Sequence, residues 1–384
     1  MRIGIDARLY GVASGTGIGR YTEELVHALG AMPIETADLE FVVFLRRDAF
    51  ATFAPPNTRW SKVLAEFRPY TLTAQTQFPR VLADARVDLM HFTHFDHPLA
   101  YRGPFLTTIH DTILLDHPTT RASTLGPIKF WTKYLAYRSV IRDAVRRSMR
   151  VLTPSRAVKD DLVRRFRVLP EQVIAAHLGV NHAAPPPPSA QQNRTAADAP
   201  PLPNRPFVLY VGNAYPHKNL AWLVRVWPNI AEAEDGLLLV LVGREDDFYH
   251  TLRTHVDTRT PIVFMGPCGD EALQWLYQHA TAYVSPSLAE GFDLPTLEAA
   301  AKGIPVVATK IPVHTEILGD GAHFFPPGDG EALHHAIREL RTHHELRDIL
   351  IRHGRARAQQ YSWSSCATET LRAYREALAL RFPS

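Results

Sequence analysis

The chain has 384 residues, of which 46% are hydrophobic and 21% charged, and it carries a formal net charge of +3. That length is more than one hydrophobic core ordinarily serves, so two domains are expected, and the composition excludes fibrous, wholly disordered and membrane-spanning classes. Two cysteines, Cys268 and Cys366, exclude a disulfide framework, and without a signal-peptide pattern or an apolar run of transmembrane length a cytoplasmic location is expected.

In chain order, the apolar and β-branched runs RIGIDA, EFVVFL, DLMHF, FLTTIH and RVLTPS alternate with longer amphipathic stretches. Runs of this length between helical segments read as buried parallel strands of an α/β sheet. Residues 183–206 then break the pattern: the stretch is rich in Pro and Ala, has no periodicity, and reads as a linker. A second set follows, FVLYVGN, LLLVLVG, IVFMG, TAYVSPS and IPVVAT. The expected architecture is α/β, with a Rossmann-like domain over 1–182 and another over 207–360, facing a central cleft. Residues 361–384 have helical spacing and no following strand, so they form a terminal helix expected to dock toward the N-terminal domain. Charge is divided unevenly: residues 1–182 hold 24 Lys+Arg against 17 Asp+Glu, and the remainder holds 18 against 22. The first half is therefore the one suited to an anionic partner, although a solvated basic surface has the same signature.

Residues 285–309, SPSLAEGFDLPTLEAAAKGIPVVAT, place two glutamates, Glu290 and Glu298, around a turn that opens into a helix. Pro295 suits the first helical turn, where its missing N–H is not needed, and Gly303 suits the helix end. In open α/β sheets ligands bind at the carboxyl ends of strands, and a helix N-terminus there attracts phosphate. Carboxylates beside it would accept hydrogen bonds from sugar or ribose hydroxyls. A loop carboxylate and a helix carboxylate stabilised by the dipole are the plain alternative.

This stretch resembles the signature of the family 4 glycosyltransferases, and the likeness extends from IDARLYGVASGTGIGRYTEEL through TIHDTILLDHP, LYVGNAYPHKNL and MGPCGDEALQWL to the terminal helix. The resemblance implies a GT-B fold and a retaining transferase using a nucleoside-diphosphate sugar. It implies that Glu290 approaches the donor sugar, that Glu298 holds the ribose, and that the main chain at Phe292, Asp293 and Leu294 faces sugar and diphosphate. At Asp293 relatives commonly have glycine, which would alter the donor pocket. Lys218 is the candidate cation for the departing diphosphate. Asn213 stands where relatives often have arginine, and Gly266 matches a donor-side position. In the first half, Gly17 and Gly19 would allow close approach to the donor, and His110 would lie near its sugar.

No Asp-x-Asp occurs, so no metal ligands and no cofactor are expected beyond the nucleotide sugar. His91, His94, Asp96 and His97 lie close in sequence, but their spacing favours a structural role over a metal site. The resemblance also implies a same-face displacement in which the proton of the incoming hydroxyl passes to the leaving phosphate, while a covalent route through a carboxylate stays open. The N-terminal motifs resemble those of mannosyltransferases of surface polysaccharide assembly, which makes GDP-mannose the first choice of donor and a glycan or lipid-linked molecule the acceptor. A UDP-hexose donor and a non-catalytic sugar-nucleotide-binding subunit are the alternatives. A dinucleotide-dependent oxidoreductase fits less well, since GTGIGR lacks the G-x-G-x-x-G spacing. Nucleic acid is not an expected partner. Finally, residues 128–150 hold seven basic residues and one acid, with Arg138, Arg142, Arg146 and Arg150 at four-residue spacing and Phe130, Trp131, Tyr134 and Tyr137 nearby. A helix of this kind could rest on an anionic membrane or present a solvated basic face.

Overall fold

The computed structural model describes residues 1–11, 17–116, 127–180, 202, 205–257 and 259–382. The linker expected over 183–206 therefore lies almost wholly outside the described residues. The chain divides into two units, residues 1–179 with 362–384, and residues 180–361.

The first unit is built on a seven-stranded sheet of β1 (Arg2–Asp6), β2 (Glu40–Leu45), β3 (Trp60–Leu64), β4 (Leu89–Phe92), β5 (Phe105–Thr108), β6 (Val151–Thr153) and β7 (Val173–Ala175). Their order is β3-β2-β1-β4-β5-β6-β7, with every pairing parallel. Central strands are buried on both faces, β4 along its whole length and β1 from its second residue onward. That is why they read as continuous apolar runs rather than as alternation. The Trp363–Arg381 helix belongs to this unit. Its buried positions Cys366, Ala367, Thr370, Ala373, Tyr374 and Ala377 recur at helical spacing, and it packs on the Gly17–Gly30 helix and on β4 and β7. The backbones meet closely at the entry to this helix, where a Cβ at Gly179 would stand 2.1 Å from the Trp363 nitrogen.

The second unit carries β8 (Phe207–Val211), β9 (Leu238–Val242), β10 (Ile262–Gly266), β11 (Ala282–Ser285), β12 (Val306–Thr309) and β13 (Ala322–Phe325), all parallel in the order β10-β9-β8-β11-β12-β13. Fully buried Trp227, Leu239, Val284, Val307 and Phe325 fill the core on one side of this sheet. In both orders the first strand of the unit lies centrally and the chain reverses direction beside it, between β1 and β4 and between β8 and β11. Those reversals are where doubly wound sheets open a crevice at their carboxyl ends. Strands β3, β7 and β13 had no counterpart among the runs read from sequence, and all three are edge strands.

Candidate active site

In the second unit, β11 ends at Ser285 and the chain loops to the Leu294–Lys302 helix, with Pro295 in its first turn and Gly303 at φ 82° closing it. Lys218 ends a short turn, Pro216–Lys218, after β8. The two loops are tied together by the Leu288 amide, which donates to the His217 carbonyl at 2.8 Å. This brings the Lys218 ammonium to 2.6 Å from Glu290 Oε1 and 3.7 Å from Asp293 Oδ1. Both carboxylates are almost wholly buried, with side-chain exposures of 6% and 3%.

Asp293 adopts φ 68° as the residue preceding the helix, a backbone state that glycine enters without steric cost. Its side chain does not cap the helix amides. Oδ2 instead accepts from the Ser285 hydroxyl at 2.8 Å, from the Thr296 hydroxyl, and from His314 Nε2 at 3.0 Å. The bulk that glycine would lack is thus packed among Ser285, Thr296 and His314. Burial raises the Glu290 carboxyl above its usual range and outweighs the Lys218 ammonium beside it. Burial would also raise Asp293, but Lys218 and the His314 hydrogen bond together hold it below the usual carboxylate range. A lysine between two buried carboxylates of opposed tendency is an environment typical of sites that handle developing charge.

The other donor-side candidates of this unit occupy the neighbouring strand ends. Asn213 follows β8; its carbonyl accepts from Tyr210 at 2.8 Å, while its buried side-chain oxygen Oδ1 has no hydrogen-bond partner among the described residues. Gly266 ends β10 at φ 70°. Phe292 and Leu294 are buried, with Phe292 edge-on to Tyr361 at 5.7 Å. Glu298 lies in the second turn of the Leu294–Lys302 helix and is partly exposed.

In the first unit, Gly17 and Gly19 fall inside the Gly17–Gly30 helix rather than in the preceding turn, residues 12–16 being outside the described set. Gly17 is exposed, and a Cβ there would meet nothing within 4 Å; Gly19 is buried. His110 follows β5, lies edge-on to Tyr21 at 4.7 Å, and is 2.9 Å from the Thr93 carbonyl through Nε2. Since a carbonyl only accepts, Nε2 carries the proton and Nδ1 keeps its lone pair. Burial lowers the ring to about 4, so it is neutral near pH 7. The four-residue cluster in and after β4 does not converge on one point: His91 meets Tyr374 at 2.7 Å and Thr108 at 2.9 Å, His97 meets Asp143 at 2.8 Å, and Tyr70 takes both Asp96, which accepts from its amide at 2.8 Å, and His94, 3.2 Å from its hydroxyl. These are bonds that hold loops and the terminal helix in place.

The basic helix runs over Pro127–Arg147, so Arg150 lies beyond it and pairs with Glu376 at 2.8 Å. Phe130 and Tyr134 are buried, leaving Trp131 and Leu135 as its exposed large apolar residues. Arg138, Arg142 and Arg146 line an open groove of about 1120 Å³ together with Arg165 of the Arg156–Phe166 helix and Arg167 just beyond its end. Among the described residues no carboxylate lines that groove, although Arg165 is held by Asp116 at 2.7 Å and Asp161 at 3.0 Å. Among the described residues no helix is long and apolar enough to cross a membrane.

Two Rossmann-like parallel sheets of this order are the architecture of the GT-B glycosyltransferases. Residues 15–184 match the model described as Glycosyltransferase Family 4 and residues 205–343 the model described as Glycosyl transferases group 1. The chain thus carries a family 4 glycosyltransferase domain followed by a group 1 glycosyltransferase domain. It is 26% identical to O-antigen chain mannosyltransferase B of Escherichia coli, over 94% of this chain and 96% of the relative. It is 25% identical to the O-antigen chain mannosyltransferase RfbU of Salmonella typhimurium, over 85% and 88%. The sucrose-phosphate synthase of Thermosynechococcus elongatus shares the fold with a TM-score of 0.75 at 20% identity, covering 99% of each chain. Anabaena HepE, solved with UDP-glucose, does so with a TM-score of 0.68 at 19% identity, over 97% of this chain and all of the other.

His314, Ser285 and Thr296 escaped the reading of the sequence. A histidine 21 positions beyond Asp293, in the apolar run KIPVHTEIL, carries no spacing signal of its own.

Proposed function

We propose that this transferase moves a hexosyl group, mannose from GDP-mannose as first choice, onto a glycan or lipid-linked acceptor with retention of anomeric configuration. The observation that carries the reading is the Lys218 ammonium, held against Glu290 beside a helix N-terminus at the carboxyl end of a parallel sheet. As the bond from the anomeric carbon to the diphosphate oxygen breaks, negative charge grows on the diphosphate, and a fixed cation with helix-terminal amides stabilises it. The acceptor oxygen then bonds to the anomeric carbon and gives its proton to the leaving phosphate oxygen. Glu290 accepts from a sugar hydroxyl and Glu298 from the ribose. The mannose choice follows the two O-antigen mannosyltransferase relatives. HepE, solved with UDP-glucose, supports a UDP-hexose as the second choice.

The chemistry needs no metal in this reading. Glu290, Asp293 and His314 have the donor types and closeness of a metal site, but the first two already face an ammonium and the His314 Nε2 hydrogen bond requires a proton on that nitrogen. Membrane contact is proposed through the arginine groove of the first unit, whose charge suits anionic headgroups. A thermal-shift series with GDP, UDP, ADP and their sugars tests the donor assignment. Saturation with the correct nucleotide at about 100 times its dissociation constant adds about 2.7 kcal/mol, and an unchanged midpoint with all of them contradicts the proposal.

A further inference from the structure

His314 is fully buried on the Pro312–Leu318 helix, and each of its ring nitrogens faces an oxygen that can only accept. Nε2 lies 3.0 Å from the Asp293 carboxylate and Nδ1 lies 2.9 Å from the Thr309 carbonyl. The Thr309 hydroxyl, 3.2 Å from Nδ1, has its own acceptor in the Ser287 carbonyl at 2.5 Å. Each nitrogen thus has an acceptor to donate to, and a ring protonated on both would satisfy the two at once. With the ring so protonated, four charges alternate through the site: the Glu290 carboxylate, the Lys218 ammonium, the Asp293 carboxylate and the His314 imidazolium. Lys218 stands closer to Glu290, at 2.6 Å, than to Asp293, at 3.7 Å.

Resting on the reading of Lys218 as the cation for the donor diphosphate, we infer that His314 is a positioning residue whose charge satisfies Asp293 and so leaves the Lys218 ammonium on Glu290, available to the diphosphate. A buried carboxylate that loses its charged partner carries a heavy desolvation penalty and draws in the nearest cation. Here that cation is Lys218, one ångström farther from Asp293 than from Glu290. The same pairing gives a reason for an acid where the backbone asks only for glycine: Asp293 and His314 form one unit, and losing the histidine alone does more harm than losing both.

The test is calorimetric binding of GDP and of UDP to the wild-type chain and to Lys218→Ala, His314→Gln and the double variant Asp293→Gly with His314→Gln, each with its thermal midpoint. His314→Gln is expected to weaken the preferred diphosphate by about ten-fold or more, and the double variant to recover about five-fold or more of that loss. A purely packing role for the ring predicts no such recovery. Binding by His314→Gln close to wild type, or a double variant no tighter than the single one, overturns the inference. If His314→Gln does not fold and the double variant folds and binds, the lone carboxylate is the cause and the inference stands. Should the glycine variant itself fail to fold, Asp293→Asn with His314→Gln takes its place under the same criteria. A wild-type chain that binds neither nucleotide, or a Lys218→Ala variant that binds like wild type, removes the donor-site reading and this inference with it. Dependence on Lys218 without dependence on His314 removes this inference alone.

Discussion

Glu290 and Glu298 sit eight positions apart in one loop-helix unit, yet their surroundings separate them. Glu290 is buried against Lys218, whereas Glu298 is partly exposed in the second turn of the helix. A group that touches the reacting sugar acts mainly in the transition state, and one that holds the ribose acts in both states. Glu290→Ala is therefore predicted to lower kcat by about 10²–10³-fold with a small change in donor KM, by analogy with loss of one preorganised polar contact. Glu298→Ala is predicted to raise donor KM more than it lowers kcat. Steady-state kinetics of both variants checks this, and equal losses of kcat at unchanged KM would contradict the division of roles. The placement of Glu290 and Glu298 around a loop-to-helix turn, and of Lys218 in the turn after β8, was legible in the sequence because each lies within a local signature. His314 was not, because its meaning arises only when β12 and the following helix fold back beside Asp293. Asp293 was legible as a departure from glycine, but the destination of its side chain depends on that same tertiary contact.

The elements best read from sequence are the central strands, whose burial on both faces leaves an unbroken apolar run. Three of the four edge strands were missed for the converse reason: β3 is WSKVL with only its first residue buried, β7 has three residues, and β13 buries only its two ends, whereas the edge strand β10, IVFMG, kept an apolar run and was read. The terminal helix was legible as a helix from its spacing, while the polar contacts that fix it, above all Tyr374 on His91 of β4, were not. That contact has a pH consequence. Burial, with a smaller contribution from His110, lowers His91 to about 3, and burial lowers His110 to about 4. An unfolded histidine takes up its proton near pH 6.5, so below that value the unfolded chain binds protons that the folded first unit refuses. Stability is then full above about pH 6.5 and falls as the pH drops toward about 4. Thermal midpoints measured from pH 7.5 down to 4.5 should decline through this window, and a midpoint constant across it would show that these rings are not held neutral by the fold.

For the whole molecule, the excess positive charge of the first 182 residues is concentrated in part on the groove formed by Arg138, Arg142, Arg146, Arg165 and Arg167, with Trp131, Leu135 and Leu169 exposed beside it. Cations around exposed apolar side chains suit the surface of an anionic bilayer, where each basic residue contributes about 1 kcal/mol and salt screens the attraction. The protein should sediment with vesicles containing anionic lipid, less so at high salt, and changing Arg138, Arg142 and Arg146 to Glu should release it. Wild-type protein left in the supernatant at low salt would exclude this surface as a membrane contact. The central proposal is that a lysine and a glutamate at the carboxyl end of one sheet, without a metal, promote cleavage of the bond between a hexose and a nucleoside diphosphate. The measurement that tests it is release of nucleoside diphosphate from GDP-mannose and UDP-hexoses in excess EDTA, by the wild-type chain and by Glu290→Gln and Lys218→Ala. The account predicts release from one donor that survives EDTA and falls by about 10²-fold or more in either variant. Release that EDTA abolishes and a divalent ion restores, or that persists unchanged in both variants, would contradict it.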